Sequence, residues 1–497
     1  MALLLNLTMA IRKSIPPVET RGITVYLRPD TTRQEVIDRV ERYITTGFNF
    51  LVLKVLSGGQ VLYPSRVTPD GLHERTLRAG QRPDPAAMLL EVAHMHGLPV
   101  YAGFDVLQHV SSREHPNDLL ARYPSWFIPE DWPPARRINE SWKRERQVTG
   151  SALTMRFLNP THPEVRRYLG GLMSEAVESY PFDGLYLDHL ILPRLTDPED
   201  LQHRFSRQFI EAAQNWQRDD DEDERASNPL KSPESFHENL RKCLLSFAGY
   251  LRQRIYKVRQ QLVMVMVSRD PGTPPAPLSV GADANDVGTS PSWNELGEEI
   301  PWKSALERAV EIVSPRYDIL GAHRIERLLT DLEIMGPEAP VLPVLQLQTD
   351  DPDPLPFEQL RRTSVFGFII DAGRPLSERH WQFFNSIFSG PAVASHNQPL
   401  AALQSIVEHM QDILPEDSDV LAVLKFLLRQ DVQDPERARK SVINNLRDLE
   451  RRGRENQLPL PPDPIRWQVT RNIGLLLRLQ ALLHSQGQMM RATPYYS

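Results

Sequence analysis

At 497 residues the chain is longer than a single compact domain usually is, so we expect one large domain with an appendage or two domains of similar size. Hydrophobic residues make up 40% of the sequence and charged residues 24%, which is ordinary for a globular protein and excludes a wholly disordered or fibrous chain. The formal net charge of -7 gives no long-range attraction for nucleic acids or anionic lipids, so neither is expected as a partner.

Cysteine usage and the N-terminus indicate a protein of a reducing compartment. The one cysteine, Cys243, lies in a helical pattern and has no second cysteine for an internal disulfide. Arg12 and Lys13 follow the apolar start of the chain instead of preceding it, which is not typical of a signal peptide. No apolar run approaches the roughly 20 residues that cross a bilayer. We therefore expect a cytoplasmic protein without membrane insertion.

Short β-rich apolar runs alternate with helical patterns between about residues 21 and 391, which is typical of βα units and a parallel sheet. Eight such units predict an α/β fold closed into a (β/α)8 barrel, the TIM barrel. The strands are expected at Gly22–Leu27, Phe48–Val55, Leu98–Phe104, Phe182–Asp188, Leu262–Ser268, Ala309–Pro315, Ala339–Gln346 and Val365–Asp371.

The predicted domains are an N-terminal segment at 1–20, the barrel at 21–395 and a small all-α domain at 396–497. The helices of the last are expected at Leu400–Ile413, Asp419–Arg429, Pro435–Arg452 and Ile465–His484. Its third helix is rich in arginine, which favours a solvated helix face over a site for an acidic partner. Aspartate before proline marks helix starts at Asp84-Pro85, Asp434-Pro435 and Asp463-Pro464.

Acidic residues recur where the predicted strands end. In a (β/α)8 barrel the chemistry lies at that face, because the loops that follow the strands converge there. The two longest connections, at about 106–158 and 190–233, are expected to help build it. The aspartates at or just after strand ends are Asp105, Asp188, Asp270, Asp318 and Asp371.

Two carboxyl groups are what glycoside hydrolysis needs, one to protonate the leaving oxygen and one to attack the anomeric carbon or activate water. Asp188 is the first candidate, because an acid at the end of an otherwise apolar strand needs a reason. The candidates for its catalytic partner are Asp270, Asp371 and Asp105. A carboxyl separation of about 5 to 5.5 Å would predict retention and about 6.5 to 9.5 Å inversion. Expected substrate-binding residues are Lys54, Asp105, His189, Arg316, Tyr317 and Gln346, with Trp126 and Trp132 as nearby aromatic side chains.

Nucleotide, zinc and serine-hydrolase motifs are absent. The chain has no Walker-type loop, GxGxxG, CxxC pair, HExxH or GxSxG. His94 and His96 form a His-x-His at the end of a helical pattern, where the two side chains point apart. The sequence therefore implies neither a metal nor an organic cofactor, and the expected partner is a carbohydrate.

Several motifs in the first 200 residues resemble the glycosyl-hydrolase-like proteins of family 10, a group of bacterial barrels. The motifs are Gly47-Phe48-Asn49, Leu62-Tyr63-Pro64-Ser65, His94 with Gly97, Asn159-Pro160, His162-Pro163-Glu164-Val165-Arg166, and Asp183-Gly184 leading to Asp188 and Pro193. The resemblance implies a glycoside-hydrolase barrel with Asp188 as the catalytic or sugar-binding acid.

The chain departs from that family at the expected site. The family's second aspartate on the fourth strand is His189 here, and its Gln-Val-Arg on the second strand is Lys54-Val55-Leu56. Two hypotheses follow: a glycosidase or transglycosidase that uses Asp188, or a non-catalytic glycan-binding or scaffold protein on the same barrel. A barrel enzyme of other chemistry is a third, because fold alone does not fix function. The first two predict different surroundings for Asp188, either a second carboxylate across an open cleft or a basic residue such as Lys54 or Arg316.

Overall fold

A computed structural model gives the structure of the protein. It describes residues 18–68, 84–112, 119–128, 153–192, 233–260, 262–268, 298–299, 302–318, 322–347, 352, 354–373, 375–388, 390–415, 418, 420–422, 435–458 and 465–492. Asp270, Trp132, the Asp463-Pro464 start and most of the predicted Asp419–Arg429 helix lie outside these residues.

The strands of the described residues are β1 (Thr20–Val25), β2 (Phe50–Ser57), β3 (Gln60–Val61), β4 (Val100–Asp105), β5 (Gln108–Ser112), β6 (Leu153–Phe157), β7 (Gly184–Asp188), β8 (Ile191–Leu192), β9 (Val263–Ser268), β10 (Glu298–Glu299), β11 (Ile312–Asp318), β12 (Val344–Gln346) and β13 (Gly367–Asp371). Most barrel strands are buried along their whole length, as strands covered on both faces are.

One sheet follows the order β1-β13-β12-β11-β9-β7-β4-β2-β3, and β1 also pairs with β2. Strand β3 only forms an antiparallel hairpin with β2. The remaining eight strands are parallel, and the pairing of β1 with β2 closes them into a barrel. The predicted (β/α)8 barrel is confirmed, because each of the eight predicted runs overlaps one barrel strand. Separate antiparallel pairs join β5 to β6 and β8 to β10.

The helices are α1 (Arg33–Thr46), α2 (Pro85–Met95), α3 (Leu119–Arg122), α4 (Pro163–Ser179), α5 (Pro233–Val258), α6 (Trp302–Arg308), α7 (Ala322–Met335), α8 (Leu355–Arg362), α9 (Glu378–Ile387), α10 (Pro399–Ile413), α11 (Pro435–Arg454) and α12 (Ile465–Ala492), with a 3₁₀ turn at Pro124–Trp126. The Asp84 side chain accepts hydrogen bonds from the backbone of Ala86 and Ala87, so the predicted start of α2 is confirmed. None of the helices in the described parts of the chain is long and apolar enough to cross a membrane.

The chain divides into two compact units. The first comprises residues 1–23, 42–50 and 318–488, and its core contains a group of contacting phenylalanine rings that includes Phe48, Phe357 and Phe384. The second comprises residues 24–41, 51–317 and 489–497. Inside it Gly170 of α4 lies against Tyr250 of α5, and Cys243 of α5 is buried. A domain boundary at residue 395 stays a prediction.

Candidate functional site

Five polar residues of the second unit meet at the carboxyl ends of the barrel strands. Lys54 lies on β2, Asp105 ends β4, Asp188 ends β7, His189 follows it directly, and Arg316 lies on β11. We call these five residues the strand-end cluster. All five were predicted site residues. Strands β2, β4 and β7 are neighbours in the sheet, and β9 lies between β7 and β11.

Strand register explains why the cluster forms. Asp105 and Asp188 are directly paired across β4 and β7, so their side chains leave the sheet side by side. On the other side of β4, Lys54 pairs with Gly103. A Cβ on Gly103 would lie 3.2 Å from Lys54 Cδ, closer than such contacts usually are. The glycine therefore leaves room for the lysine side chain to run along the sheet to the carboxylates.

Lys54 joins the two carboxylates. Its Nζ donates to Asp105 Oδ1 at 2.7 Å and to Asp188 Oδ2 at 2.7 Å, and it lies 5.4 Å from the centre of the Tyr186 ring. Arg316 Nη2 donates to the same Oδ2 of Asp188 at 2.6 Å. The remaining oxygen of Asp188, Oδ1, accepts the backbone N–H of His189 at 2.8 Å. Both oxygens of Asp188 thus accept hydrogen bonds.

The cluster is buried, and Lys54 and the carboxylates it contacts stabilise each other's charged forms. The exposed fraction of the side chain is 1% for Asp188 and 2% for Lys54. Burial by itself lowers the pKa of the Lys54 ammonium, but the carboxylates of Asp105 and Asp188 outweigh it and raise this pKa above its usual range. Burial raises the pKa of Asp105, whereas Lys54 and His189 outweigh it, and the net result is a pKa below the usual range. The ion pairs therefore persist at neutral pH.

This geometry does not suit Asp188 as a general acid. A general acid must carry a proton before the reaction, and two cations in contact with one carboxylate hold it in the anionic form. Asp105 does not face Asp188 across an open cleft either, because the Lys54 ammonium fills the space between them. Of the two surroundings predicted for Asp188, the structure has the basic one: Lys54 and Arg316 are bound to it.

Asp105, Asp188 and His189 offer ligand atoms that lie within 4.8 Å of one another, as a metal site would require. Both carboxylates already have the Lys54 ammonium in contact, and Asp188 also has Arg316. A metal ion would have to displace a lysine whose pKa is raised, so we assign no metal to the cluster.

The remaining predicted site residues are Asp371, Gln346, Tyr317 and Asp270. Asp371 ends β13 and pairs with Gln346, which ends β12, both in the first unit. One carboxylate oxygen of Asp371 accepts the backbone N–H of Gly373 at 3.1 Å, a contact that shapes the turn after the strand. Tyr317 follows Arg316 on β11 and is half-buried. The catalytic role given to Asp270 falls on a residue that is not described.

Trp126 differs from its expected place as an aromatic surface at the barrel mouth. Its side chain is buried, and its ring stacks on Tyr123 with centroids 4.5 Å apart. On α4, Tyr168 lies 5.4 Å from it. Trp126 therefore packs the loop after β4 onto α4, because a large apolar ring gains more from burial there than from exposure at the strand ends.

Two contributions to the cluster were not predicted from the sequence. One is Gly103, whose missing side chain admits Lys54. The other is the backbone after β4: Val106 N–H donates to the Asp188 carbonyl at 2.8 Å, and Leu107 N–H donates to the His189 carbonyl at 3.2 Å. A glycine inside a predicted strand is a recognised sign of close approach, so Gly103 carried a signal, whereas the backbone contacts carried none.

Comparison with known proteins finds a family and relatives that are similar to the first part of the chain. Residues 20–228 match the family model of glycosyl hydrolase-like 10. Glycosyl hydrolase DigH of Escherichia coli K12 is 26% identical over 233 residues, which cover 44% of this chain and 49% of that protein. DigH of Shigella flexneri gives the same figures, so the chain spans about half the length of the curated relatives it matches.

Solved glycosidase structures show similarity at low sequence identity. A β-galactosidase from Rahnella sp. R3 has a TM-score of 0.46 and 11% identity, covering 84% of this chain and 63% of that chain. An α-L-fucosidase from Paenibacillus thiaminolyticus has a TM-score of 0.45 and 14% identity, covering 74% and 49%. The family match rests on sequence: residues 20–228 are similar to the glycosyl hydrolase-like 10 family.

Proposed function

We propose that this glycoside hydrolase-like protein binds an oligo- or polysaccharide at the carboxyl ends of its barrel strands and does not hydrolyse it through Asp188. One observation carries the proposal: the Asp188 carboxylate is almost fully buried and is bound by both Lys54 and Arg316. A buried, doubly paired carboxylate organises a site more readily than it attacks a substrate.

Support for a carbohydrate ligand comes from the family match and from the kind of groups present. Lys54 and Arg316 are cationic hydrogen-bond donors at the strand ends. Cationic donors are suited to sugars, which present hydroxyl acceptors along the edges of the pyranose. The cluster supplies such groups at the face where barrels bind ligands.

Hydrolysis with Asp188 as nucleophile is the second candidate. An anionic carboxylate at the end of the fourth barrel strand fits a nucleophile, which must be ionised, better than it fits an acid. Such an enzyme needs its acid from elsewhere, and the candidates are Asp371 and Asp270. It also needs Asp188 to be released from Arg316 or Lys54 when substrate binds.

A panel of hexasaccharides separates the two candidates. Cellohexaose, maltohexaose, chitohexaose and xylohexaose are tested for binding by calorimetry and for product release by chromatography. Wild type is compared with Asp188→Asn and Asp371→Asn, with Asp38→Asn as a matched change on the exposed face of α1. We expect at least one hexasaccharide to bind without product release.

Product release by wild type that falls by about 10² or more in Asp188→Asn, as loss of a nucleophile predicts, would instead establish a glycosidase. Circular dichroism of each variant checks folding first, because Asp188→Asn removes the shared partner of two buried cations. Absence of binding to every hexasaccharide would contradict the proposed function.

A further inference from the structure

Three arginines of the first unit gather around one glutamate just before the first barrel strand. The Glu19 side chain is 6% exposed, and its Oε2 accepts from Arg21 Nε at 2.6 Å. Arg361 at the end of α8 donates to the same carboxylate through Nε at 2.7 Å and Nη2 at 3.2 Å. Arg471 of α12 donates through Nη2 to the carbonyl of Val18, the preceding residue, at 3.0 Å. We call Arg21, Arg361 and Arg471 the arginine cluster.

Helix packing brings Arg471 to the end of α8. Ser364, three residues after Arg361, lies against Gly474 of α12, where a Cβ on the glycine would be 2.5 Å from Ser364 Cβ. Arg478 Nε donates to Ser364 Oγ at 3.2 Å. Residues three and four apart share one face of a helix, so Arg471, Gly474 and Arg478 lie on the same face of α12. That face meets the segment in which Arg361 lies.

The arginine cluster holds more positive charge than Glu19 compensates. Three cations face one carboxylate, which leaves an excess of two positive charges. Among the described residues no second carboxylate pairs with these arginines, and residues 1–17, which precede Val18, contain no acidic residue. Burial and Arg361 outweigh Glu19 and hold the pKa of Arg471 below its usual range, as expected of a cation that is short of anions. Burying a cation without a paired anion is costly, so an anion from outside would stabilise the cluster.

Donors for such an anion are present. Arg471 Nε is buried and has no hydrogen-bond partner in the described part of the chain, and its Nη1 makes only a long contact of 3.5 Å with Asn472 Oδ1. Arg361 donates to Glu19 through Nε and Nη2, which leaves Nη1 for a ligand among the described contacts. The Arg361 side chain is 29% exposed, so solvent reaches the cluster there.

We propose that the arginine cluster is a binding site for a phosphate group, held by the guanidinium groups of Arg361 and Arg471. A phosphate group carries about −1.5 to −2 charges at pH 7, which matches the excess positive charge. The planar fork of a guanidinium fits phosphate oxygens with two parallel hydrogen bonds. The site is independent of saccharide binding, because it shares no residue with the strand-end cluster. A bound phosphate joins α8 and α12 to the segment before β1.

Calorimetry and thermal unfolding of the full chain test for the site, with sodium phosphate at pH 7.5 compared with sodium chloride of equal ionic strength. We expect wild type to bind phosphate with a Kd of about 1 mM or tighter and to unfold at a higher temperature in about 10 mM phosphate than in chloride. Glucose 6-phosphate is titrated in parallel. Binding of either compound supports the site, and the tighter of the two distinguishes free phosphate from a phosphorylated sugar.

Charge variants locate the binding. Arg471→Met and Arg361→Met should each weaken phosphate binding by about tenfold or more, the size of one charge-assisted hydrogen bond. Arg308→Met, a matched change at the exposed end of α6, should leave it unchanged. Glu19→Gln removes the carboxylate that competes for the arginines and should tighten phosphate binding, whereas a loss of local structure would weaken it. Circular dichroism checks the folding of each variant.

A wild-type protein that neither binds nor is stabilised by phosphate beyond the effect of chloride overturns the inference. Binding that both arginine variants leave unchanged also overturns it, because the phosphate then lies elsewhere. Weaker binding in folded Glu19→Gln would contradict the charge argument. If Arg471→Met does not fold, Arg361→Met, whose side chain is partly exposed, and Glu19→Gln decide the question.

Discussion

Most side chains that carry the family resemblance make structural contacts. Asn159 Oδ1 accepts hydrogen bonds from the N–H and hydroxyl of Thr161, which closes the turn before α4. His162 then caps the helix by accepting the N–H of Glu164 at its Nδ1. Ser65 donates to Glu175 of α4 at 2.5 Å, and Tyr63 donates to the Leu172 carbonyl at 2.7 Å. These motifs therefore identify the fold and leave the activity open.

Lys54 is the residue on which the strand-end cluster depends. Lys54→Met keeps most of the side-chain volume but leaves two buried carboxylates without their shared cation. We expect a loss of roughly 3 to 5 kcal/mol in the free energy of unfolding, measured with urea at pH 7. Lys257→Met on the exposed end of α5 is the matched control and should change stability by less than about 0.5 kcal/mol.

The double variant Lys54→Met with Asp105→Asn decides whether charge is the cause. Asp105 loses its lysine partner in the single variant, so removing its carboxylate should restore part of the lost stability, and the two changes should not add. An additive result would mean that the lysine acts through packing alone and would contradict the charge assignment.

At the scale of elements, the start of β7 is fixed by a glycine and an aspartate. Asp183 Oδ2 accepts the Val100 N–H at 2.7 Å and lies 2.9 Å from His94 Nε2, which ties the end of α2 to the sheet. Gly184 lies against the Tyr101 ring, its direct partner on β4. The Asp183-Gly184 pair therefore sets the register that brings Asp105 beside Asp188 at the other end of the strands.

Gly184→Ala tests that role. Its Cβ would fall well inside contact distance of the buried Tyr101 ring, so β7 or the ring must move. We expect a destabilisation of about 1 to 3 kcal/mol in thermal unfolding. Gly249→Ala, inside α5 with nothing within 4 Å of the added carbon, should stabilise the protein by about 0.5 to 1 kcal/mol. Equal effects from the two changes would rule out the steric explanation.

In the arginine-rich helix α11, nearby acidic residues pair with the arginines. Arg451 pairs with Asp448 at 2.7 Å, Arg454 pairs with Glu450 one turn away, and Arg447 reaches Glu338 with Nη2 at 2.7 Å. These arginines are satisfied by acids of the same unit, which agrees with the predicted solvated helix face. Exposed pairs of this kind contribute little stability each.

For the molecule as a whole, a buried histidine predicts sensitivity to acid. His396 accepts or donates a hydrogen bond through Nδ1 to the Thr20 hydroxyl at 3.1 Å, and its ring meets the Phe50 ring edge-on. Burial lowers the pKa of His396 to about 3. The unfolded chain binds a proton near pH 6.5 that the folded protein excludes, so this contribution to stability is complete above pH 6.5 and is lost as pH falls toward 3.

We expect His396 to account for a loss of about 2 kcal/mol in unfolding free energy between pH 7.5 and pH 5. Urea unfolding of His396→Gln over the same interval should show a smaller loss than wild type, whatever the variant's stability at pH 7.5. His96→Gln on the exposed end of α2 serves as the control and should follow the wild-type curve. Identical pH slopes for all three proteins would exclude His396 as the titrating group.

The sequence by itself determined the barrel, the order of its strands and the face where its polar residues gather. These features depend on local patterns: apolar runs of strand length, aspartate before proline at Asp84, and aspartates such as Asp105 and Asp188 where strands end. The family motifs were readable for the same reason, since each is a short segment with its own turn or helix cap.

Only the tertiary structure decided which residues Asp188 contacts. The ion pairs of the cluster join residues that are far apart in sequence. Lys54 is 51 residues from Asp105 and 134 from Asp188, and Arg316 is 128 from Asp188. No local pattern encodes which of these residues will meet. Register across β2, β4 and β7 brings them together, and burial then turns a set of polar residues into fixed ion pairs. A carboxylate's role depends on its neighbours and its access to solvent, which the fold creates.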